Sequence, residues 1–500
     1  MPRTAVIATA VIGVLALVAS TAFALVRSAQ LRTSRQQVAE LRSELAGVRQ
    51  GGPSSEAPSE DGPSDDPFGG GEDNPLGDLF GDGDEGLGDL FGPEAQQLAQ
   101  CLEPAGQLGS RDVGEGDADA QITEISAIIG DLRELEFETD PEPEFLDDDE
   151  IAERLEEEVR EDYEPEDAQL DARVLSALGA VPPDVDLLQL QTDLLTAQVA
   201  GYYDPETGEM VVRTGDTDAG LDPVAQTTLA HELQHAMADQ RLELPIDETE
   251  NTTEGDAALA ALALIEGDAT LTQQQFTIVG LSLPEQLALN SDPDVGESQR
   301  QLAEVPHFLA QSLQFPYVAG MQFVCSRFLD GGWEAVDAAY DALPATSAEI
   351  LDPSRYGTAP TDPRDPGEPG DNWTSARTST FGAAELLWLF GAPGDDPAQA
   401  LDGARERALE WSGGEVAVWT AGDDTAIGVA MTQRQPDGPL CDAVTTWYER
   451  AFPDSTDAPT RTDERMVRES GAQTAVVLCS GDEVRLGIAP DLPTARVLVS

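Results

Sequence analysis

The stretch Asp222-Pro-Val-Ala-Gln-Thr-Thr-Leu-Ala-His-Glu-Leu-Gln-His-Ala-Met-Ala-Asp-Gln240 decides how this chain is read. Asp222 is a favourable N-cap and Pro223 fits the first helical position. No Gly or Pro interrupts Ala225 to Gln240. Val224, Leu229, Leu233 and Met237 fall at spacings that make one buried face, so the stretch is predicted to be helical. Inside it stands His231-Glu232-Leu233-Gln234-His235. Positions i and i+4 share a helix face, so both imidazoles reach one metal ion. Glu232 is then placed to act as general base on a metal-activated water. Only three histidines occur in 500 residues, which makes a chance pairing at this spacing improbable.

Zinc in a catalytic site takes three protein ligands and leaves a fourth position open. From Asp256 the sequence reads Ala-Ala-Leu-Ala-Ala-Leu-Ala-Leu-Ile-Glu-Gly-Asp-Ala-Thr, almost wholly apolar up to Glu266. This predicts a buried helix with Glu266 at its end, and a carboxylate there needs a pair or a metal. Glu266 is therefore the expected third ligand. His307, in Glu-Val-Pro-His-Phe, is the rival. Asp268, Glu254 and Asp256 are three candidates for the hydrogen bond to the outer nitrogen of a ligand histidine.

These residues carry a resemblance. Leu-Gly-Ala-Val-Pro-Pro-Asp-Val-Asp-Leu-Leu within 178–188, Val199-Ala-Gly-Tyr-Tyr-Asp-Pro, Leu229-Ala-His-Glu-Leu-Gln-His-Ala and Leu264-Ile-Glu-Gly-Asp-Ala-Thr follow in order. Phe315-Pro-Tyr-Val-Ala-Gly, Gly331-Gly-Trp-Glu-Ala-Val and Thr346-Ser-Ala-Glu-Ile-Leu-Asp-Pro-Ser-Arg-Tyr come after them. Over residues 122–455 the chain resembles gluzincin-type, peptidase-MA-like zincins of the bacterial envelope. The resemblance implies zinc ligands His231, His235 and Glu266, the catalytic base Glu232, and hydrolysis of a peptide or protein substrate. One position departs from it: Asp352 stands where the resemblance leads us to expect His.

Zincins resemble one another in holding substrate along an edge strand. The candidate here is a hairpin, Val199-Ala-Gly-Tyr-Tyr and Met210-Val-Val-Arg, around the turn Asp204-Pro-Glu-Thr-Gly-Glu. An exposed edge would take substrate backbone by strand addition. Tyr317 is the first candidate to donate to a developing oxyanion, and Tyr203 the second.

Residues 5–26 carry no charge and are long enough to span a bilayer. They read as a transmembrane anchor, with a cleaved signal ending at Ala22-Phe-Ala24 as the alternative. Five arginines between 27 and 49 favour a cytoplasmic body by the positive-inside count. Four cysteines, none in C-x-x-C spacing, favour two disulfides and an extracytoplasmic body. The latter is the expectation adopted, that of a single-pass protein of the cell membrane. Leu31, Val38, Leu41, Leu45 and Val48 fit a short coiled coil that would make a homodimer, or a helix that simply continues from the span. Residues 51–92 carry 12 acids and no base, and read as part of a disordered linker over 51–95. Leu-Gly-Asp-Leu-Phe-Gly occurs in it twice, at 76–81 and 87–92.

The net charge is −69, and every one of the 27 basic residues is arginine. Such a surface excludes nucleic acid as a partner. Helical signals run to about residue 412. Beyond it, Glu415–Thr420 with Thr425–Met431 and Thr474–Cys479 with Val484–Ile488 predict two hairpins around a helix at 441–452. The expected fold class is thus α+β. A mostly helical zincin-like domain with an edge-strand hairpin occupies 96–412, and a small α+β unit 413–500, in which Cys441 and Cys479 staple helix to strand.

Overall fold

The computed structural model describes residues 7–9 and 88–500, apart from 112, 115, 215, 216, 218, 219, 250–253, 290 and 472. Contacts divide the chain into two units, residues 19–103 and the remainder. Of the first unit, the described part belongs to a helix, Gly88–Leu108. That helix begins inside the stretch read as linker, at the second Leu-Gly-Asp-Leu-Phe-Gly. The coiled coil and the rest of the linker lie outside the described residues. So does the apolar run 5–26, except for Ile7–Thr9, which form a short strand, not a helix. Among the described residues no helix is long and apolar enough to cross a membrane.

The second unit is α+β, as expected. Strand β1 is Ile7–Thr9, and helix α1, Ala118–Arg133, follows. Then come β2 (Glu144–Leu146), β3 (Gly201–Asp204) and β4 (Glu209–Arg213). They form a small sheet in the order β1-β3-β4-β2, with β2 parallel to β4 and β1 antiparallel to β3. The predicted hairpin is β3–β4, and Gly208 at φ +73° closes its turn. Its expected exposed edge is not found: Ile7 to Thr9 pair with Tyr203 to Gly201 along β3. The dense acid run before it is solvated on one side only. Helix Asp148–Asp162 turns Ile151 and Leu155 into the core against Tyr202 and Val211. Strand alternation sends Tyr203, Met210 and Val212 to the opposite face.

That opposite face packs on α2, Pro223–Leu242. Asp222 caps α2 by accepting from the Ala225 amide at 2.8 Å, as its sequence predicts. The helix is buried all round from Ala225 to Ala238, not along the single face expected. It lies between the small sheet and three helices: α1, α3 (Gly255–Gly280) and, beyond α3, α4 (His307–Gly331). A helix in that position has no solvated side to fill with charge.

Helix α3 runs 14 residues past Glu266, so that residue lies mid-helix and not at an end. The buried polar run Thr270, Thr272, Gln273, Gln274 and Gln275 reads as a terminus but continues the helix. Helices α3 and α4 cross where neither has a side chain. A Cβ on Gly320 would stand 2.0 Å from the Ala263 carbonyl oxygen, and one on Gly267 2.2 Å from the Gly320 carbonyl carbon. Helices α5 (Trp333–Asp341) and α6 (Ser347–Leu351) follow.

The C-terminal part is a seven-stranded antiparallel sheet in the order β5-β6-β7-β11-β10-β9-β8. The strands are β5 (Thr374–Thr380), β6 (Trp411–Ala421), β7 (Asp424–Gln433), β8 (Thr456–Asp457), β9 (Glu464–Ser470), β10 (Gln473–Ser480) and β11 (Glu483–Ala489). Both predicted hairpins are present, as β6–β7 and β10–β11. The sheet takes in β5, which precedes the expected boundary at 413; its Thr-Ser-Ala-Arg-Thr-Ser-Thr is exposed along most of its length and shows no alternation to read. Helix α7 is Ala383–Gly391 and α8 is Leu440–Ala451. Cys441 of α8 is bonded to Cys479 of β10.

Buried Asp256 ties α3 to this part. Asp256 donates its backbone amide to Thr380 Oγ1 at 2.8 Å, and its side chain accepts from the Ser347 amide at 3.2 Å. Burial pushes its carboxyl up to about 6, partly offset by Ser347 and Arg355 and reinforced by Glu349. Burial and the Asp256 charge push Glu385 up to about 8. Folded values above the ordinary ones mean that the fold favours the neutral acids. Their stabilising contribution is complete below about pH 4 and is lost as pH rises through 6 and 8. The urea midpoint of the wild type should therefore fall more steeply between about pH 4 and 8 than that of the Asp256→Asn, Glu385→Gln double variant. Parallel profiles would show that the pair does not titrate in that window.

Candidate metal centre

Helix α2 presents His231 and His235 on the same side, and α3 brings Glu266 to them. The three donor atoms form a nearly regular triangle. His231 Nε2 lies 3.0 Å from His235 Nε2 and 3.2 Å from Glu266 Oε2, and His235 Nε2 lies 3.4 Å from Glu266 Oε2. Four ligands at tetrahedral angles and about 2.0–2.1 Å from zinc stand roughly 3.3–3.4 Å apart. The triangle therefore matches one face of such a tetrahedron. No other group of three or more metal-ligating side chains is found among the described residues.

All four residues of the constellation are buried: His231 and Glu232 at 0% exposure, Glu266 at 1% and His235 at 2%. Electrostatics follow from that burial. Desolvation lowers the His231 pKa, and Glu266 and Gln273 only partly offset it. The same desolvation acts on His235, but the Glu266, Glu232 and Asp268 carboxylates together outweigh it and the net shift is upward. Glu266 is buried too, yet the two imidazoles hold it down at about 2. The cage thus holds an anionic carboxylate facing two imidazoles.

Glu232 is different. Burial raises its carboxyl to about 8, against the pull of His235. Neither of its oxygens has a hydrogen-bond partner, and Glu266 Oε1 has none either. Buried carboxylate oxygens left unpaired are costly and rare. Here they cluster beside a three-donor cage, where a bound ion and its water would satisfy them. Strand β3 closes over the same point. A Cβ on Gly201 would come within 2.7 Å of Thr228 Cγ2 and 3.4 Å of Glu232 Cγ, so only glycine lets the strand sit this close.

The fate of the other candidates is mixed. The Tyr317 ring centre lies 6.2 Å from that of His231, with the planes tilted by 35°, which places it beside the cage. Tyr203 is committed elsewhere: its hydroxyl donates to Asp239 at 2.7 Å. His307 is not brought to the site; its backbone amide caps onto Asp395 at 2.6 Å. Asp256 points to Ser347. Asp352 accepts from the Ser354 amide and hydroxyl. Asp268 accepts from Arg133, Gln234 and Tyr340.

That role for His231 falls to Gln273. Its Oε1 lies 3.3 Å from His231 Nδ1, while its Nε2 donates to the Thr227 carbonyl at 2.9 Å. The amide is thereby oriented with its oxygen towards the ring. Nδ1 must carry the proton, and Nε2 is left as the lone pair facing the cage. Seven residues separate Gln273 from Glu266, two helical turns on one face. That spacing was the available signal, and the polar run around it concealed it. The chain matches no family model, no curated protein and no solved structure.

Proposed function

We propose that this protein is a zinc metallopeptidase of the zincin kind with its body outside the cytoplasm. The observation that carries the reading is the His231–His235–Glu266 triangle beside the unpartnered carboxylate of Glu232. His231, His235 and Glu266 would hold the ion. Zinc bound there supplies Lewis-acid polarisation of a carbonyl and acidifies a water molecule. Glu232 takes the proton from the attacking water and returns it to the leaving amine. Its raised pKa suits both halves of that exchange. Tyr317, whose ring lies beside that of His231, would donate to the oxygen that gains charge.

A second reading is a zincin-like protein of the envelope that keeps the metal and binds a partner without turnover. Complete burial of the four residues favours it, because turnover requires substrate to reach the ion. The two readings part on activity. A diverse peptide library incubated with the zinc-loaded protein should be cleaved, cleavage should stop on chelation, and added zinc should restore it. An intact library with zinc bound would leave the silent protein as the better account.

A further inference from the structure

Behind the cage lies a second buried polar cluster that the chemistry above does not use. Arg133, the last residue of α1, and Asp268, on α3, both have side chains at 0% exposure. The Arg133 terminal nitrogen NH2 donates to Asp268 Oδ2 at 3.0 Å and to Asp337 Oδ1 at 2.8 Å. Its Nε lies 3.0 Å from Asp268 Oδ1. The guanidinium also stacks 4.1 Å over the Trp333 ring. Asp268 Oδ2 accepts two more bonds, from Gln234 Nε2 and the Tyr340 hydroxyl, each at 3.0 Å. One oxygen thus gathers donors from α1, α2 and α5.

A buried ion pair gives little net stability, since desolvation consumes most of the attraction. Its value lies in fixing geometry. Glu266 and Asp268 are two residues apart, about 200° of helical turn, so they leave α3 on nearly opposite sides. Clamping Asp268 therefore fixes the rotation of α3. A rotation of about 10° would move a carboxylate at the helix surface by about 1 Å. Metal–ligand distances tolerate only about 0.2 Å. Gln234 sits between Glu232 and His235, so its bond to the same oxygen ties the rotation of α2 to that of α3.

We propose that Asp268, held by Arg133, is the positioning residue of the metal centre. It sets the register in which α3 offers Glu266 to the histidines that α2 presents. The inference rests on the metal-centre reading. It is tested with zinc and with cobalt(II) as a visible probe, measuring affinity by chelator competition and coordination by the cobalt absorption bands. Asp268→Asn and Arg133→Lys should weaken metal binding by about 10–100-fold and alter the bands. Tyr340→Phe and Gln234→Met each remove one donor and should weaken it several-fold, with the metal-free protein melting near the wild-type temperature. These two milder variants keep the test open if the charge variants fail to fold.

A merely structural cluster would lower the melting temperature and leave the affinity and cobalt bands of the folded protein unchanged. That result in Tyr340→Phe and Gln234→Met overturns the inference. A wild type that binds neither zinc nor cobalt overturns the metal-centre reading first, and this inference with it.

Discussion

Replacing Glu232 by glutamine should lower peptide turnover by about 10²–10⁴-fold while about one zinc per chain stays bound. The amide keeps the shape of the carboxylate and cannot accept the proton. The three ligands are untouched, so metal content is the internal control. The same substitution should raise the melting temperature. Glu232 is fully buried with both oxygens unpartnered, and holding its acid neutral above its ordinary pKa costs stability that a glutamine amide does not lose. Loss of activity with a gain in stability marks a residue kept for chemistry at the expense of the fold. Unchanged turnover on peptides that the wild type cleaves would remove Glu232 as the base, and a fall in stability would show that it serves the fold.

The second large effect lies at the α3–α4 crossing. Gly320→Ala puts a methyl 2.0 Å from the Ala263 carbonyl oxygen, and backbone there has no rotamer by which to yield. Overpacking of this kind costs about 1–3 kcal/mol or more, and a domain of this size loses roughly 2–4 °C of melting temperature per kcal/mol. A fall of roughly 2–12 °C is expected from those two figures. Tyr317 is one turn before Gly320, so forcing the helices apart also moves its ring away from His231. Gly296→Ala is the control. Nothing lies within 4 Å of a Cβ there, and the residue sits inside helix Pro293–Glu304, so stability should be unchanged or slightly higher. Equal melting of the two variants would mean that α3 and α4 are not in contact at these glycines.

What was legible in the sequence were features with a local cause. Asp222-Pro223 and the unbroken run behind it gave the helix, and the i, i+4 histidines gave one face. Short β-prone runs broken by turn residues exposed both hairpins, β6–β7 and β10–β11, and the Cys441–Cys479 staple fits the elements they join. Features set by tertiary contact could not be read. Asp268 looks like a second partner for a histidine until Arg133, 135 residues earlier, is seen to bind it. Gln273 looks like a helix end because its neighbours are polar, yet they are buried against other helices. Gly267 and Gly320 look like breakers and are instead the points of closest approach. Strand β5 has no apolar alternation because most of it is exposed.

The central claim is that His231, His235 and Glu266 together hold one metal ion. Elemental analysis of the purified protein, dialysed against buffer with trace zinc, tests it most directly. The account predicts about one zinc per chain in the wild type and loss of that zinc in His231→Ala, His235→Ala and Glu266→Ala variants that remain folded. Zinc-free wild-type protein, or full zinc retained in all three variants, would contradict it.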